Sequence, residues 1–334
     1  METYDVAIIG AGFVGSTLAK YLSNSLRVVA FDVNPAPPLL RGIKNVEHRA
    51  CDIGRYDEIR AKIGRPRVVI HTAIIQIPAI NEMKEQAYQV NVIGTQNVCR
   101  AVREIPEIQG LILSGSWHVF GERDYGGTVD TAFGYRPDKV EERAKLYVIS
   151  KMMQEGIVRF FGDMVNDKTF GILRLGTVLG QNMPEKTAAN IFISNSLQGK
   201  PITPYKHTMH RPMLYVSVDD VCKAFHSYIQ KIDAAGSPKG ESKTGIYNLF
   251  YPEPITILEL AEIVKKTVRQ HTQGTLDPEL HIVDSNLPAL YMADEKNKLK
   301  VDIDKTLSFF GIRKLKSPVD SISEIVAERI QAAK

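Results

Sequence analysis

Ala7-Ile8-Ile9-Gly10-Ala11-Gly12-Phe13-Val14-Gly15-Ser16 decides the fold, because it sets three glycines at GxGxxG spacing between an apolar run and a helical pattern. In that setting the first glycine permits a tight turn, the second lets backbone N–H groups approach a pyrophosphate, and the third lets the helix pack on the strand. The helix N-terminus then faces the phosphate. Gly10, Gly12 and Gly15, with Phe13 and Val14 between them, are therefore candidate contacts to a dinucleotide. Glycine at a tight turn is also a structural default, so the pattern needs its surroundings. Asp32 ends the next apolar run, where a carboxylate can accept hydrogen bonds from an adenosine ribose. A carboxylate there repels a 2′-phosphate, and Ala30-Phe31-Asp32-Val33-Asn34 places no basic residue beside it, which favours NAD over NADP. The other reading of Asp32 is a loop cap. Asp52-Ile53, after the strand-like Val46 to Ala50, is a further candidate toward the adenine edge.

Outward from the glycines, short apolar runs alternate with amphipathic segments: Asp5 to Ile9, Arg27 to Phe31, Val68 to His71, Leu111 to Ser114 and Thr169 to Leu175. Near-continuous apolar runs at helical separations indicate parallel strands buried on both faces. Right-handed crossovers then give an α/β fold with a doubly wound parallel Rossmann sheet. Ile80 to Glu104 reads as one helix that Ile105-Pro106 ends. After Leu175 the alternation loosens. Residues 176–211 read as a loop and a short helix, followed by a strand at Met213 to Val218 and a helix from Asp219 to about Lys231. An exposed loop at Ala234 to Thr244, a strand at Ile246 to Phe250, a helix near Ile257 to Gln270 and a C-terminal amphipathic helix complete the chain. The expected organisation is an NAD-binding domain from residues 1–175 and 212–250, and a smaller α+β substrate-binding domain toward the C-terminus from residues 176–211 and 251–334.

The 334 residues, 44% hydrophobic and 24% charged, suffice for a large core. With 42 basic and 38 acidic residues and no long run of like charge, nothing points to nucleic acid as a partner. Cys51, Cys99 and Cys222 show neither CxxC nor metal-ligand spacing, so neither a disulfide framework nor a metal site is expected. The longest uncharged apolar stretch, Val6 to Ala19, is too short and glycine-rich to span a bilayer. A strand-like start leaves no room for a signal peptide. A soluble cytoplasmic protein, with no membrane partner, is the expectation.

Tyr147-Val148-Ile149-Ser150-Lys151 lies in a helical pattern, which puts Tyr147 and Lys151 on one face. An ammonium beside a phenol stabilises phenolate, so the tyrosine can serve as a general base near neutral pH. A lone YxxxK is a chance-level motif; here it follows the fifth apolar run and Ser116 at the right order of distance.

Further segments complete a pattern. Ile70-His71-Thr72-Ala73 is similar to an HxAA signature at the end of a strand, and Asn91-Val92-Ile93-Gly94-Thr95 to an NxxGT helix. Ser114-Gly115-Ser116-Trp117-His118-Val119-Phe120-Gly121 is similar to SSSxxVYG, and Arg174-Leu175-Gly176-Thr177-Val178-Leu179-Gly180 to RxxNVYG. Arg211 to Val216, followed by Asp219-Asp220-Val221, is similar to RDFxYVDDV with two residues inserted, and Ile246-Tyr247-Asn248-Leu249 matches a late strand. With the glycine loop and the Tyr147/Lys151 pair, these segments resemble the NAD-dependent epimerase/dehydratase family, extended short-chain dehydrogenases/reductases acting mostly on nucleotide sugars, over nearly the whole chain.

That resemblance implies NAD as cofactor, with Ala73, Asn91, Ser114, Leu175 and Thr177 adding to its site. It implies Tyr147 as base, Lys151 orienting it and holding the nicotinamide ribose, and Ser116 sharing the substrate hydroxyl's proton. Substrate contacts are implied for Ser116, Trp117, His118, Thr177 and Arg211, the last toward a diphosphate, and a homodimer through helices at Ile80 to Glu104 and Lys145 to Phe161. The chain also departs from the family. Ile9 stands at the first glycine of GxxGxxG, and Thr177 where an asparagine often contacts substrate. Trp117 and His118 occupy the Asp and Glu positions of 4,6-dehydratases, which disfavours dehydration. His118 is either a second acid/base or a hydrogen-bonded structural group. The leading expectation is an NAD-dependent epimerase of a nucleotide-activated sugar, similar to UDP-sugar 4-epimerases. The alternative is an NAD-dependent dehydrogenase or reductase with net turnover of a sugar or other hydroxy/keto substrate; a non-catalytic NAD-binding sensor is the remote one.

Overall fold

The computed structural model describes residues 4–235 and 244–332; most of the loop expected at Ala234 to Thr244 lies outside them. Seven strands form the main sheet: β1 (Val6–Ile9), β2 (Val28–Asp32), β3 (Val46–Ala50), β4 (Val68–His71), β5 (Gly110–Ser116), β6 (Thr169–Leu175) and β7 (Thr244–Leu249). Their order is β7-β6-β5-β4-β1-β2-β3, and the pairings among the first six strands are parallel. Every residue of β1, β4, β5 and β6 is buried, as strands covered on both faces require. At the edge, β3 carries Glu47 and Arg49, a half-buried ion pair that makes the open strand a poor template for further pairing. The strand order reverses between β1 and β4, and the carboxyl ends of strands at such a reversal are where this architecture binds ligands. Gly10, Asp32 and Ser116 stand at the carboxyl ends of β1, β2 and β5.

Three helices position the site: α1 (Phe13–Leu22), α2 (Thr95–Glu104) and α3 (Lys145–Met164). The single helix expected over Ile80 to Glu104 is not continuous. It is Ala79–Glu82, Lys84–Tyr88, a π-helical turn at Gln89–Gly94, and then α2. Met83, at φ −117° and ψ 55°, leaves the helical region and breaks the first turn. The π turn inserts extra backbone at Asn91, whose side-chain amide is bonded to both the N–H and the carbonyl of Ile75.

By contacts the chain divides into residues 1–119, 134–175 and 221–248 as one unit, and 120–133, 176–220 and 249–334 as the other. The second unit is built on short pairings: Thr177–Leu179 with Tyr215–Ser217, Pro212–Met213 with Ile255–Thr256, and Thr128–Val129 with Lys300–Val301. These partners explain why residues 120–133 and 212–220 group here, where the sequence reading had put both stretches in the NAD-binding domain. They also split the single strand expected at Met213 to Val218, with Leu214 between the halves and Val218 opening the helix Val218–Ala235. The helix Ile257–His271 starts in a capping box, Thr256 Oγ1 accepting from Glu259 N and Glu259 Oε2 from Thr256 N. The last helix is Pro318–Ala332. Among the described residues no helix is long and apolar enough to cross a membrane.

Candidate active site

Gly10 has φ +98°, a conformation costly for any other residue, and a Cβ there would stand 2.5 Å from the backbone nitrogen of Ala73. A Cβ on Gly15 would lie 1.9 Å from the Gly10 carbonyl oxygen, so α1 can approach β1 only with glycine at that position. Thr72 Oγ1 donates to the Gly10 carbonyl at 2.7 Å, which fixes the turn from the β4 side. Gly12 is the N-cap of α1, makes no side-chain cap, and has open space where a Cβ would point. No acidic residue occupies the first turn of α1. Free N–H groups, the positive end of the helix dipole and an unobstructed approach fit a pyrophosphate. Phe13 and Val14, half-buried, follow directly.

Asp32 Oδ2 accepts from the Ala11 N–H at 2.7 Å and Oδ1 from the Asn34 N–H at 2.9 Å, so the carboxylate ties the end of β2 to the glycine turn. Asn34 Nδ2 also donates to Oδ1, at 3.0 Å, so it is Oδ2 that keeps a lone pair for a ribose hydroxyl. Asp52 turns its carboxylate onto the Gly54 N–H, and Ile53 is buried with its carbonyl bonded to Asn97. Asn91 is fully buried between the Ile75 backbone and Ser150, a placement that shapes the loop after β4 from within. Leu175 is buried at the end of β6, and Thr177 lies in the second unit, its N–H bonded to Leu214.

On α3, Tyr147, Lys151 and Glu155 recur every four residues along one face. The hydroxyls of Ser116 and Tyr147 are hydrogen-bonded, and Lys151 Nζ donates to the Ser114 carbonyl at 2.8 Å. Burial pushes the Tyr147 phenol above its usual range, while the Ser116 bond pulls it down. The spacing had predicted the opposite net direction. The physical reason is the burial of the phenol; Lys151 donates its hydrogen bond to the Ser114 carbonyl and is itself pushed down to about 7 by burial, with Glu155 holding it up.

Beneath this pair lies a charge cluster that the sequence reading missed. Glu155, fully buried, is gripped by Arg174 of β6 through Nε and Nη2, and accepts from the Tyr135 hydroxyl at 3.0 Å. Gly115 makes room for it, since a Cβ there would stand 3.0 Å from Glu155 Oε1. A carboxylate one turn beyond Lys151 on an otherwise buried face was the available signal.

Trp117, expected beside substrate, is 1% exposed and packs against the His118 ring at 4.3 Å between centroids. The largest apolar side chain in the segment is drawn into the core and backs the histidine. His118 Nδ1 lies 3.3 Å from Ser116 Oγ, and its ring meets the Tyr147 ring edge-on at 5.8 Å. Arg211, in the second unit, places Nη1 3.9 Å from buried Glu122, whose other oxygen accepts from Tyr291. A diphosphate at Arg211 would share the guanidinium with that carboxylate.

Comparison with known proteins agrees with this fold. The family described as "NAD dependent epimerase/dehydratase family" matches residues 6–249. The 3 beta-hydroxysteroid dehydrogenase/Delta 5→4-isomerase of monkeypox virus is 27% identical over 158 residues, 45% of this chain and 43% of that protein. The chain thus matches less than half the length of that relative. UDP-glucuronate 4-epimerase 1 of Arabidopsis thaliana is 24% identical over 258 residues, 74% of this chain and 53% of that protein. The solved structure of UDP-glucuronic acid 4-epimerase from Bacillus cereus, in complex with UDP-glucuronic acid and NAD, superposes with a TM-score of 0.76 at 19% identity and covers all of both chains.

Proposed function

The chain belongs to the NAD dependent epimerase/dehydratase family, and from that premise we propose that it is an epimerase of a nucleotide-activated sugar, acting at the 4-position of a UDP-sugar. The observation that carries this reading is the hydrogen-bonded Ser116 and Tyr147 hydroxyls at the carboxyl end of β5, with Lys151 one turn along α3. Tyr147 as phenolate takes the proton of the sugar hydroxyl and later returns it, and the Ser116 hydroxyl steadies the oxygen that loses it. With its pyrophosphate held at the glycine turn, oxidised NAD would supply a hydride acceptor and a positive charge that favours phenolate. Lys151 reaches the nicotinamide ribose, and Gly10, Gly12, Gly15 and Asp32 hold the pyrophosphate and adenosine ribose. Arg211 is the proposed contact to a diphosphate. The names of the Arabidopsis and Bacillus cereus proteins support the UDP-sugar class.

A homodimer through α3 is part of this reading. Leu146, Met153, Phe160 and Met164 are exposed and fall on one line of the helix, away from the Tyr147, Lys151 and Glu155 face.

The test is incubation with NAD and UDP-glucose or UDP-glucuronate, with chromatographic separation of the 4-epimers and NADH absorbance followed in parallel. The expected result is interconversion without accumulating NADH. NADH rising in step with loss of substrate would replace the epimerase by a net dehydrogenase.

A further inference from the structure

We propose that the cleft between residues 181–185, the helix Ala188–Leu197 and the end of the helix Pro318–Ala332 binds a small carboxylate, with Arg329 as the cation that holds it. The cleft lies wholly in the second unit and shares no residue with the candidate active site, so this inference goes beyond the epimerase reading and does not depend on it. Its volume, about 680 Å³, is that of a small-molecule site.

Four of the five guanidinium N–H groups of Arg329 are committed, and every acceptor is neutral. Nε donates to Gln181 Oε1 at 3.0 Å, Nη1 to Asn190 Oδ1 at 3.0 Å and to Ser194 Oγ at 3.1 Å, and Nη2 to the Gln181 carbonyl at 3.4 Å. Two of these acceptors are fixed in turn, Ser194 Oγ donating to Asn190 Oδ1 and Asn190 Nδ2 to the Met183 carbonyl. The guanidinium is therefore held in place from the segment and from the helix, with one Nη2 N–H left over. Arg329 is half-buried, and among the described residues no carboxylate pairs with it. Burial alone acts on its proton affinity, pushing it below the usual range. A half-buried charge ringed only by dipoles gains from an anion in contact with it.

The surroundings select which anion. Glu185 stands on the rim and Glu328 accepts from Gln181 Nε2 at 3.0 Å, both exposed and screened by water. One cation with carboxylates nearby matches a single negative charge and disfavours the second charge of a phosphate. Asn182 has an amide to offer the second carboxylate oxygen, and Met183, Pro184 and Ile191 supply apolar wall for a short carbon chain.

The experiment is a saturation-transfer NMR titration of the NAD-loaded full chain with sodium butyrate at constant ionic strength. Transfer should saturate with a dissociation constant on the order of 1 mM, within what so few heavy atoms can reach. Arg329→Gln should weaken binding at least about tenfold by removing the charged donor. Ile191→Glu alters a residue 40% exposed, leaves the Arg329 hydrogen bonds in place, and should weaken binding as much by adding a negative charge to the wall. It decides the matter if Arg329→Gln fails to fold. Inorganic phosphate should displace butyrate only above butyrate's own concentration. Transfer that does not saturate, a loss smaller than about tenfold in either folded variant, or displacement by phosphate below the butyrate concentration would overturn the proposal.

Discussion

Lys151 holds its ammonium 2.8 Å from the Ser114 carbonyl with 3% of its surface exposed, and this burial has a consequence for stability. Its pKa falls from 10.5 to about 7, chiefly through burial. Between those values the unfolded chain binds a proton that the folded chain does not, so stability rises with pH across that window. Below pH 7 both states are protonated and the full cost of the buried charge is present. In the NAD-free protein, wild type should therefore gain on Lys151→Met as pH goes from 7 to 9, with a slope of up to about 1.4 kcal/mol per pH unit, read from urea midpoints. Parallel curves would show that Lys151 titrates normally. The glycine turn, Asp32 and the Tyr147/Lys151 pair were legible in sequence because each depends on spacing along one or two elements. The direction of the Tyr147 shift and the burial of Trp117 were not, because both depend on what the fold packs around them.

At the scale of elements, α3 is joined to β6 by the Glu155–Arg174 pair, whose side chains are 0% and 3% exposed. A buried pair contributes little net stability, but removing one partner strands the other charge. Glu155→Gln should cost roughly 3–5 kcal/mol in urea unfolding. Glu155→Leu combined with Arg174→Met should recover most of that loss. A cost below about 1 kcal/mol for the single variant would mean that Arg174 finds another acceptor or water. The strands of the main sheet were readable because burial on both faces leaves continuous apolar runs. The breaks in the segment before α2 were not, since a π turn changes backbone geometry while the apolar spacing runs on through Met83 and Asn91. Pairings such as Thr128–Val129 with Lys300–Val301 are two residues long, too short to leave a period.

At the scale of the whole molecule, Phe160 is 69% exposed and Met164 47%, an apolar line that water disfavours and a second copy would cover. Wild type should run at twice the chain mass in light scattering at micromolar concentration, and Phe160→Glu at the chain mass with its fold intact. A monomeric wild type would remove the dimer from the account. The division into two units was only partly legible, because the short strands that set it take partners far apart in sequence. The central claim concerns Tyr147 and is tested most directly by the turnover number of Tyr147→Phe on a UDP-sugar that wild type interconverts. The substitution keeps the ring and its packing against His118 and removes only the hydroxyl. Turnover should fall about 100- to 10,000-fold while NAD affinity stays near that of wild type. A variant that keeps more than about a tenth of wild-type turnover would contradict the assignment of Tyr147 as the base.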